Sequence, residues 1–239
     1  MTGVQTCALP IWTIARFAGC KITGLNNNDY QVARARIHNL RADLDARCDV
    51  VKGDFMAMAF PDSCFDAAYA IEATVHAPDL ARVYAEIGRV LKPGGVLASY
   101  EWALTENFIA TDSNHQRIRR DIEFANGIVH LSTGGEIIDA VAASGLELLE
   151  IEDRCANSAV PWWEKLAPAR NPIALRRTSG IGKHFTNVAV RLLETLRIAP
   201  RGTTTVAHML DKGGQTLVAG GTQAIFTPGL LVVARKRIG

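Results

Sequence analysis

Cysteine pairs, long apolar runs and an excess of charge of either sign are all missing from this 239-residue sequence. The five cysteines are widely spread and form none of the close pairs that zinc sites or redox dithiols use. This usage indicates a reducing, cytosol-facing compartment and predicts no metal site. The 26 basic and 24 acidic residues nearly cancel, and no basic cluster is dense enough to neutralise a run of phosphates. We therefore expect no nucleic acid partner.

Long hydrophobic segments are equally scarce. The longest apolar runs, such as Leu230–Ala234, fall far short of the roughly twenty residues that a membrane-spanning helix needs. Met1–Trp12 lacks the basic start and apolar stretch of a secretory signal peptide. We expect neither a transmembrane segment nor a signal peptide, while peripheral contact with a membrane stays open. The hydrophobic share of 48% is sufficient for a buried core.

Short apolar runs alternate with segments of helical periodicity from Gly19 onward, which predicts an α/β fold with a mostly parallel sheet. Predicted strands are Cys20–Leu25, Cys48–Gly53, Phe65–Ile71, Val96–Trp102, Leu146–Ile151 and Leu230–Ala234. Predicted helices include one with Tyr30, Ala33, Ile37 and Leu40 on a single face, one capped by Asp79, one starting at a capping box of Thr133 and Glu136, and two over 185–196 and 204–217.

The pattern changes between Pro161 and Pro172, where prolines, tryptophans and arginines replace the alternation. We place a boundary there, between a partial nucleotide-binding type core over residues 13–160 and a smaller C-terminal module over residues 172–237. Residues 1–12 are assigned to a leader outside both units.

Polar side chains follow four of the predicted strands. Because ligands of an open parallel sheet bind beyond the carboxyl ends of its strands, we expect these side chains to share one cleft. They are Asn26 and Asn27, Asp54, Glu72 and His76, and Glu101.

Ordinary structural roles compete with a binding role at the first two strand ends. Asn26 and Asn27 are also typical turn residues, which is the better interpretation of them in isolation. Asp54 is either a loop carboxylate or part of an adenine site, in which it accepts from the exocyclic amine while Phe55 packs on the ring. The sequence supports these two interpretations of Asp54 equally.

The third strand end gives a clearer indication. Glu72 follows the apolar residues Tyr69–Ile71, so we expect it in a partly desolvated place, which favours a function in a cleft. His76, taken alone, is more often a structural or capping residue than a base.

Several segments, in order and spacing, resemble the sterol 24-C-methyltransferase family over Ile14 to Lys236. The Lys-Pro-Gly-Gly motif at Lys92–Gly95 occurs in many methyltransferases. The asparagine triplet Asn26–Asn28 and the Ile-Glu-Ala-Thr segment Ile71–Thr74 are specific for this family. The segments are Gly24–Gln31, Val51–Met56, Tyr69–Pro78, Leu91–Gly95, Tyr100–Trp102, Arg177–Ser179, Val218–Gly221 and Phe226–Pro228.

The resemblance implies a Rossmann-like class I methyltransferase core with a C-terminal sterol-methyltransferase α+β module. It implies transfer of a methyl group from S-adenosyl-L-methionine to C24 of a sterol side-chain double bond in sterol biosynthesis. The expected location is the endoplasmic reticulum membrane surface or the cytoplasm.

Site roles are carried over from the resemblance in three groups. The catalytic candidates are Glu72 for electrostatic stabilisation, His76 as base and Tyr69 as an aromatic face. The cofactor-binding candidates are Asn26, Asn27, Asp54, Phe55, Ile71 and Glu72. The substrate-binding candidates are Tyr69, Glu101, Trp102 and Phe226.

The sequence departs from the family at its start, because the only glycine before Gly19 is Gly3 and no glycine-rich turn is present. Met1–Ile11 resembles a translated sequencing adapter, so we expect an N-terminally truncated chain without the first strand of the core. Such a chain would leave neighbouring strands unpaired. We expect it to be inactive.

Two other functions stay open on the sequence. One is a class I methyltransferase acting on another lipid or an alkaloid, and the other is a non-catalytic sterol-binding fragment. The preferred sterol, the number of methyl groups added and the oligomeric state, a homo-oligomer included, are likewise open.

Overall fold

The structure of the protein, a computed structural model, describes residues 9–167 and 190–238. The elements are α1 (Leu9–Ala18), β1 (Ile22–Asn26), α2 (Asp29–Arg41), β2 (Cys48–Lys52), β3 (Phe65–Ile71), a 3₁₀ turn (Thr74–His76), α3 (Leu80–Val90), β4 (Leu91–Leu104), α4 (Ser113–Asn126), α5 (Gly134–Ala143), β5 (Leu146–Asp153), a second 3₁₀ turn (Trp162–Lys165), α6 (Thr203–Thr222) and β6 (Phe226–Lys236).

The strands form two separate sheets. β1 and β2 make a parallel pair, and a second sheet has the order β3-β4-β6-β5. β3 is parallel to β4, whereas β6 is antiparallel to both β4 and β5, so the architecture is mixed rather than mostly parallel. Within the described ranges β1 pairs only with β2 and β3 only with β4. The α/β fold is confirmed, and both β1 and β3 have an edge without a ladder partner.

Helix α3 forms as its sequence predicts. The side chain of Asp79 accepts from the backbone N–H of Arg82, which caps the first turn. Val83, Tyr84 and Ile87 recur at helical spacing and are buried against β4 and α5. The following strand starts directly at Leu91, five residues earlier than predicted.

Three apolar clusters hold the elements together. One lies between the second sheet and helices α3 and α5, a second surrounds Phe226 and Leu104 beside α4, and a third joins α1, α2 and the β1–β2 pair. The first two clusters position the ends of β3 and β4. Those strand ends carry the site described below.

The predicted apolar face of α2 is wrong. Tyr30, Ile37 and Leu40 are 62%, 49% and 65% exposed. Val32, Ala35 and Asn39 face inward instead. The buried amide of Asn39 accepts from Trp12 Nε1 at 2.6 Å and donates to the carbonyl of Cys48 at 2.6 Å, so a polar anchor sets the rotation of this helix.

Two helices were missed by the sequence analysis. Helix α4 has Asp112 as its cap and ends at Gly127, whose φ of 65° is the left-handed conformation that glycine favours. It buries Ile118 and Ile122 on one face. Helix α1 includes residues that were assigned to the leader, and its Ile11 is 3% exposed within the third cluster.

The C-terminal module is described from residue 190. The part of the predicted helix 185–196 before residue 190, and the segment Arg177–Ser179, lie outside the described residues. Residues 190–195 are helical, and α6 extends the predicted helix 204–217 at both ends. Lys212 of α6 pairs with Asp121 of α4 at 2.9 Å. Over the described ranges, every helix is too short or too polar to cross a membrane.

Candidate functional site

Glu72 follows β3 directly and has an uncommon backbone conformation. Its φ is 50°, in the left-handed region that few residues with a side chain adopt. The backbone N–H of Glu72 donates to the carbonyl of Tyr100 at 2.7 Å, which attaches this residue to β4. Such conformations persist where surrounding structure holds them, and they concentrate at functional sites. The partly buried Glu72 therefore supports a functional site at the carboxyl end of β3.

Glu101 lies next to this position on β4 and is 2% exposed. Alternation along the strand puts Leu97, Ser99 and Glu101 on the face that packs against α3 and α5. Among the residues that the structure describes, neither carboxylate oxygen of Glu101 has a hydrogen-bond partner, nor do the nearby hydroxyls of Ser99 and Thr74. A buried carboxyl in this condition is costly, and such groups call for a functional explanation.

Burial raises the pKa of Glu101 from 4.5 to about 7. The hydroxyls of Thr74 and Ser99 and the N–H of Val75 lie near enough to favour the ionised form, but they make no well-formed hydrogen bond and do not offset burial. The nearby Glu72 carboxyl raises this pKa further. Glu101 thus exchanges a proton near neutral pH, unlike an ordinary glutamate.

A cavity of about 70 Å³, partly open to solvent, adjoins Glu101. Its lining includes Trp102 from β4, Thr74 and Pro78 around the first 3₁₀ turn, and His130 and Ser132 from the segment before α5. The Trp102 indole N–H also lacks a hydrogen-bond partner. This cavity therefore combines an aromatic wall with unpaired polar groups.

Trp102 is held in place from behind by Phe226. The ring centroids of Trp102 and Phe226 are 5.4 Å apart, and the two ring planes meet at 78°. The centroid of the Phe226 ring is also 5.5 Å from that of Trp162. Phe226 is 1% exposed, so the structure places it in the core behind Trp102 rather than on the surface of a cleft.

The two histidines of this region differ in their surroundings. His76 is exposed, and its Nδ1 lies 3.4 Å from the carbonyl oxygen of Gly127. His130, which the sequence analysis did not select, lines the cavity. Arg119 donates to Nδ1 of His130 at 2.7 Å, and because that nitrogen accepts, Nε2 carries the proton and donates to Glu136 at 3.0 Å. Both nitrogens of His130 are therefore engaged; its only sequence signal is its place three residues before the Thr133 cap.

Tyr69 and Ile71 on β3 are 37% and 42% exposed. Partial burial, followed by the nearby thiols of Cys48 and Cys20, raises the pKa of Tyr69 to about 12. The Tyr69 hydroxyl therefore stays protonated at neutral pH. It offers a hydrogen-bond donor and an aromatic face, not a phenolate.

The ends of β1 and β2 carry the predicted cofactor residues. The Asn26 amide donates to Gln31 Oε1 at 2.6 Å and accepts from the N–H of Asn28 at 2.8 Å, so local bonds occupy it. Asp54 is exposed and accepts from the Met56 N–H at 2.8 Å through one oxygen. Phe55 packs partly against the first core cluster.

The structure thus brings Glu72 next to Glu101 and Trp102, of which the last two line the cavity. Tyr69 and Ile71 lie on β3 outside the cavity lining, and Tyr69 is near the thiols of Cys48 and Cys20. Asn26, Asn27, Asp54 and Phe55 lie on or beside the separate β1–β2 pair, and none of them lines the cavity. In the part of the chain that the structure describes, no three acidic, histidine or cysteine side chains cluster as metal ligands would.

Two family models match this chain. The model described as "Methyltransferase domain" matches residues 2–99, and that described as "Sterol methyltransferase C-terminal" matches residues 173–237. The second match falls within the predicted C-terminal module.

Relatives with high identity carry a single kind of name. The sterol 24-C-methyltransferase of Eremothecium gossypii is 46% identical over 95% of this chain, which spans 63% of that protein. The cycloartenol-C-24-methyltransferase of Arabidopsis thaliana is 40% identical over 95% of the chain and 68% of that protein. The Saccharomyces cerevisiae sterol 24-C-methyltransferase is 42% identical, and the chain spans 61% of its length.

Solved structures share the fold at low identity. Geranyl diphosphate C-methyltransferase of Streptomyces coelicolor, solved with S-adenosyl-L-homocysteine, matches with a TM-score of 0.67 at 16% identity, over 95% of this chain and 67% of that one. The [4+2]-cyclase SpnF matches with a TM-score of 0.67 at 21% identity, over 97% and 72%. These likenesses show the class I methyltransferase fold.

Proposed function

The chain belongs to the sterol 24-C-methyltransferase family, and from this premise we propose that the protein methylates C24 of a sterol side chain with S-adenosyl-L-methionine. The observation that carries the proposal is the pairing of Glu72 and Glu101 beside Trp102 at one strand end. An alkene is a weak nucleophile, so methylation needs close alignment and exclusion of water. It leaves a tertiary carbocation on the side chain, which carboxylates and aromatic faces stabilise.

Each side chain of this group has a place in the proposal. Glu72 supplies negative charge at the carboxyl end of β3, and its hydrogen bond to Tyr100 fixes its backbone. Tyr69 and Trp102 supply aromatic surface, and Phe226 holds Trp102 in position. His76 remains the base proposed from the sequence, with Nε2 free to accept when Nδ1 donates to the Gly127 carbonyl.

The ends of β1 and β2 offer polar groups for S-adenosyl-L-methionine. Asp54 is exposed, and its Oδ1 accepts from the Met56 N–H. Its second carboxylate oxygen makes no bond to that N–H and is free to accept from an adenosine group. Asn27 is exposed beside it, whereas Asn26 orders the turn through Asn28. These two exposed polar residues fit the adenosine part of the cofactor. When bound, the cofactor supplies an electrophilic methyl carbon.

We place the protein at a membrane surface, which is where a sterol is available. The described start of the C-terminal module exposes large apolar side chains next to arginines, a combination that suits an anionic lipid surface. The apolar side chains are Leu192, Leu196, Ile198 and Leu210, and the arginines are Arg191, Arg197 and Arg201.

The proposal is tested in the full-length protein that contains these residues. It is incubated with methyl-labelled S-adenosyl-L-methionine and a sterol with a C24 double bond, and mass spectrometry should locate one or more labelled methyl groups on the side chain. The same sterol with a saturated side chain is the control and should take up no label. Label on a different lipid or an alkaloid, or sterol binding without transfer, would overturn the proposal.

A further inference from the structure

The Glu101 site lacks a positive charge. Within residues 9–167 and 190–238, no lysine, arginine or histidine pairs with this carboxylate. Beside the cavity, Arg119 already pairs with Glu123 at 2.8 Å, and His130 bonds to Glu136. An ionised carboxylate as buried as Glu101 normally has a cationic partner.

Hydroxyl groups surround Glu101 without satisfying it. Thr74, Ser99 and Tyr84 place oxygen atoms near it, and all three hydroxyls are buried without a hydrogen-bond partner in the described part of the chain. Burial, with the Glu101 charge as the next cause, raises the pKa of Tyr84 to about 12, so this phenol stays protonated. A proton arriving on Glu101 therefore finds hydroxyls that can share it by small rotations.

Resting on the methylation proposed above, we propose that Glu101 is the counter-charge for the sterol carbocation and the group that accepts its proton. The C–H bond beside the cationic carbon breaks, and its electron pair forms the new C=C bond. The proton passes to a carboxylate oxygen of Glu101, which leaves an alkene and a neutral acid. Trp102 forms the aromatic wall of the same cavity. Glu101 replaces His76 as the base, because His76 is exposed and is not among the residues that line this cavity.

Glu101→Gln in the full-length protein tests the assignment, with Glu101→Asp as a second variant and Glu106→Gln as the matched control, since Glu106 is exposed on the loop after β4. Without an acceptor the carbocation is captured by water. We expect Glu101→Gln to shift labelled product from methylated alkene to methylated alcohol by at least about tenfold, and Glu101→Asp to retain part of the alkene. An unchanged ratio of methylated alkene to methylated alcohol in Glu101→Gln would overturn the assignment.

A binding measurement separates this idea from the proposed function. The probe is a sterol with a tertiary amine in place of the cationic carbon, compared with the neutral parent sterol by calorimetry. Glu101→Gln should weaken binding of the amine sterol at least about tenfold and leave binding of the parent sterol unchanged. Equal effects on both probes would contradict the role of Glu101. If wild-type protein transfers no methyl group to any sterol, the proposed function fails independently of this result.

Discussion

The backbone N–H of Glu72 donates to the carbonyl of Tyr100 at 2.7 Å, and this bond extends the parallel β3–β4 ladder to the acidic ends of the two strands. Tyr100 precedes Glu101, so two acidic residues far apart in sequence become neighbours. One is partly exposed in a left-handed backbone conformation, and the other is fully buried. Their different environments give them different chemistry.

The pH dependence of stability should report on Glu101. Its pKa is raised to about 7 in the folded protein, so the folded state holds a proton between pH 4.5 and about 7 that the unfolded state releases. This contribution to stability is fully present below pH 4.5 and is lost as pH rises through about 7. At ~1.4 kcal/mol for each pKa unit, the loss is about 3 kcal/mol.

Denaturant unfolding of wild type and Glu101→Gln from pH 5 to pH 8 measures this loss. The wild type should lose stability relative to the variant as pH rises, so that the variant is the more stable protein at pH 8. Other titratable groups that face Glu101 are Glu72 at the end of β3, Tyr84 on α3 and His130 before α5. Parallel pH profiles for both proteins would show that Glu101 is not titrating in this range.

The capping box of α5 should add about 1 kcal/mol to the free energy of unfolding. Thr133 Oγ1 accepts from the Glu136 N–H at 3.2 Å, and the Glu136 carboxylate accepts from the Thr133 N–H at 2.6 Å. Thr133→Ala removes the first bond, whereas Thr133→Ser keeps it as the control. Urea unfolding should show the loss for alanine only, and equal midpoints for the two variants would rule out the cap.

Phe226 should act mainly through packing. Because it is buried between Trp102 and Trp162, Phe226→Ala should cost about 3–5 kcal/mol of stability, whereas Phe226→Leu should cost about 1 kcal/mol. Thermal unfolding monitored by tryptophan fluorescence measures both. A stable Phe226→Ala protein with only weakened sterol binding would instead place this ring at the substrate.

The 239-residue chain alone should bind S-adenosyl-L-methionine weakly. Its sequence has no glycine between Gly3 and Gly19, and the residues proposed above for the cofactor, Asn27 and Asp54, are proposed for its adenosine part alone. Isothermal titration calorimetry should therefore detect no micromolar binding. A dissociation constant in the micromolar range would contradict this account of the cofactor site.

Local signals in the sequence predicted much of the fold. The limits of β3, the Asp79 cap of α3 and the capping box of α5 depend on neighbouring residues, and the structure has all three. Helix α4 was missed because most of its residues are polar and its buried face consists of Ile118 and Ile122. The orientation of α2 depends on Asn39 bonding to Trp12 and Cys48, which are distant contacts that periodicity does not contain.

The candidate site was predicted in part for the same reason. The residue types at strand ends identified Glu72 and Glu101 as candidates, and the family resemblance added Trp102. The positive φ of Glu72, the burial of Glu101 and the engagement of both nitrogens of His130 arise only when β3, β4 and the segment before α5 meet. The family resemblance supplied the expected roles of the site residues, whereas their burial and hydrogen bonds depend on the packing of the folded chain.

The central claim is that the acidic end of β3 takes part in methyl transfer, and turnover of Glu72→Gln measures it most directly. The full-length variant is assayed at saturating sterol and S-adenosyl-L-methionine, with calorimetry of the cofactor and Glu106→Gln as control. We predict turnover lower by about 10²-fold or more, with cofactor affinity largely unchanged. Turnover equal to that of the wild type would contradict the account.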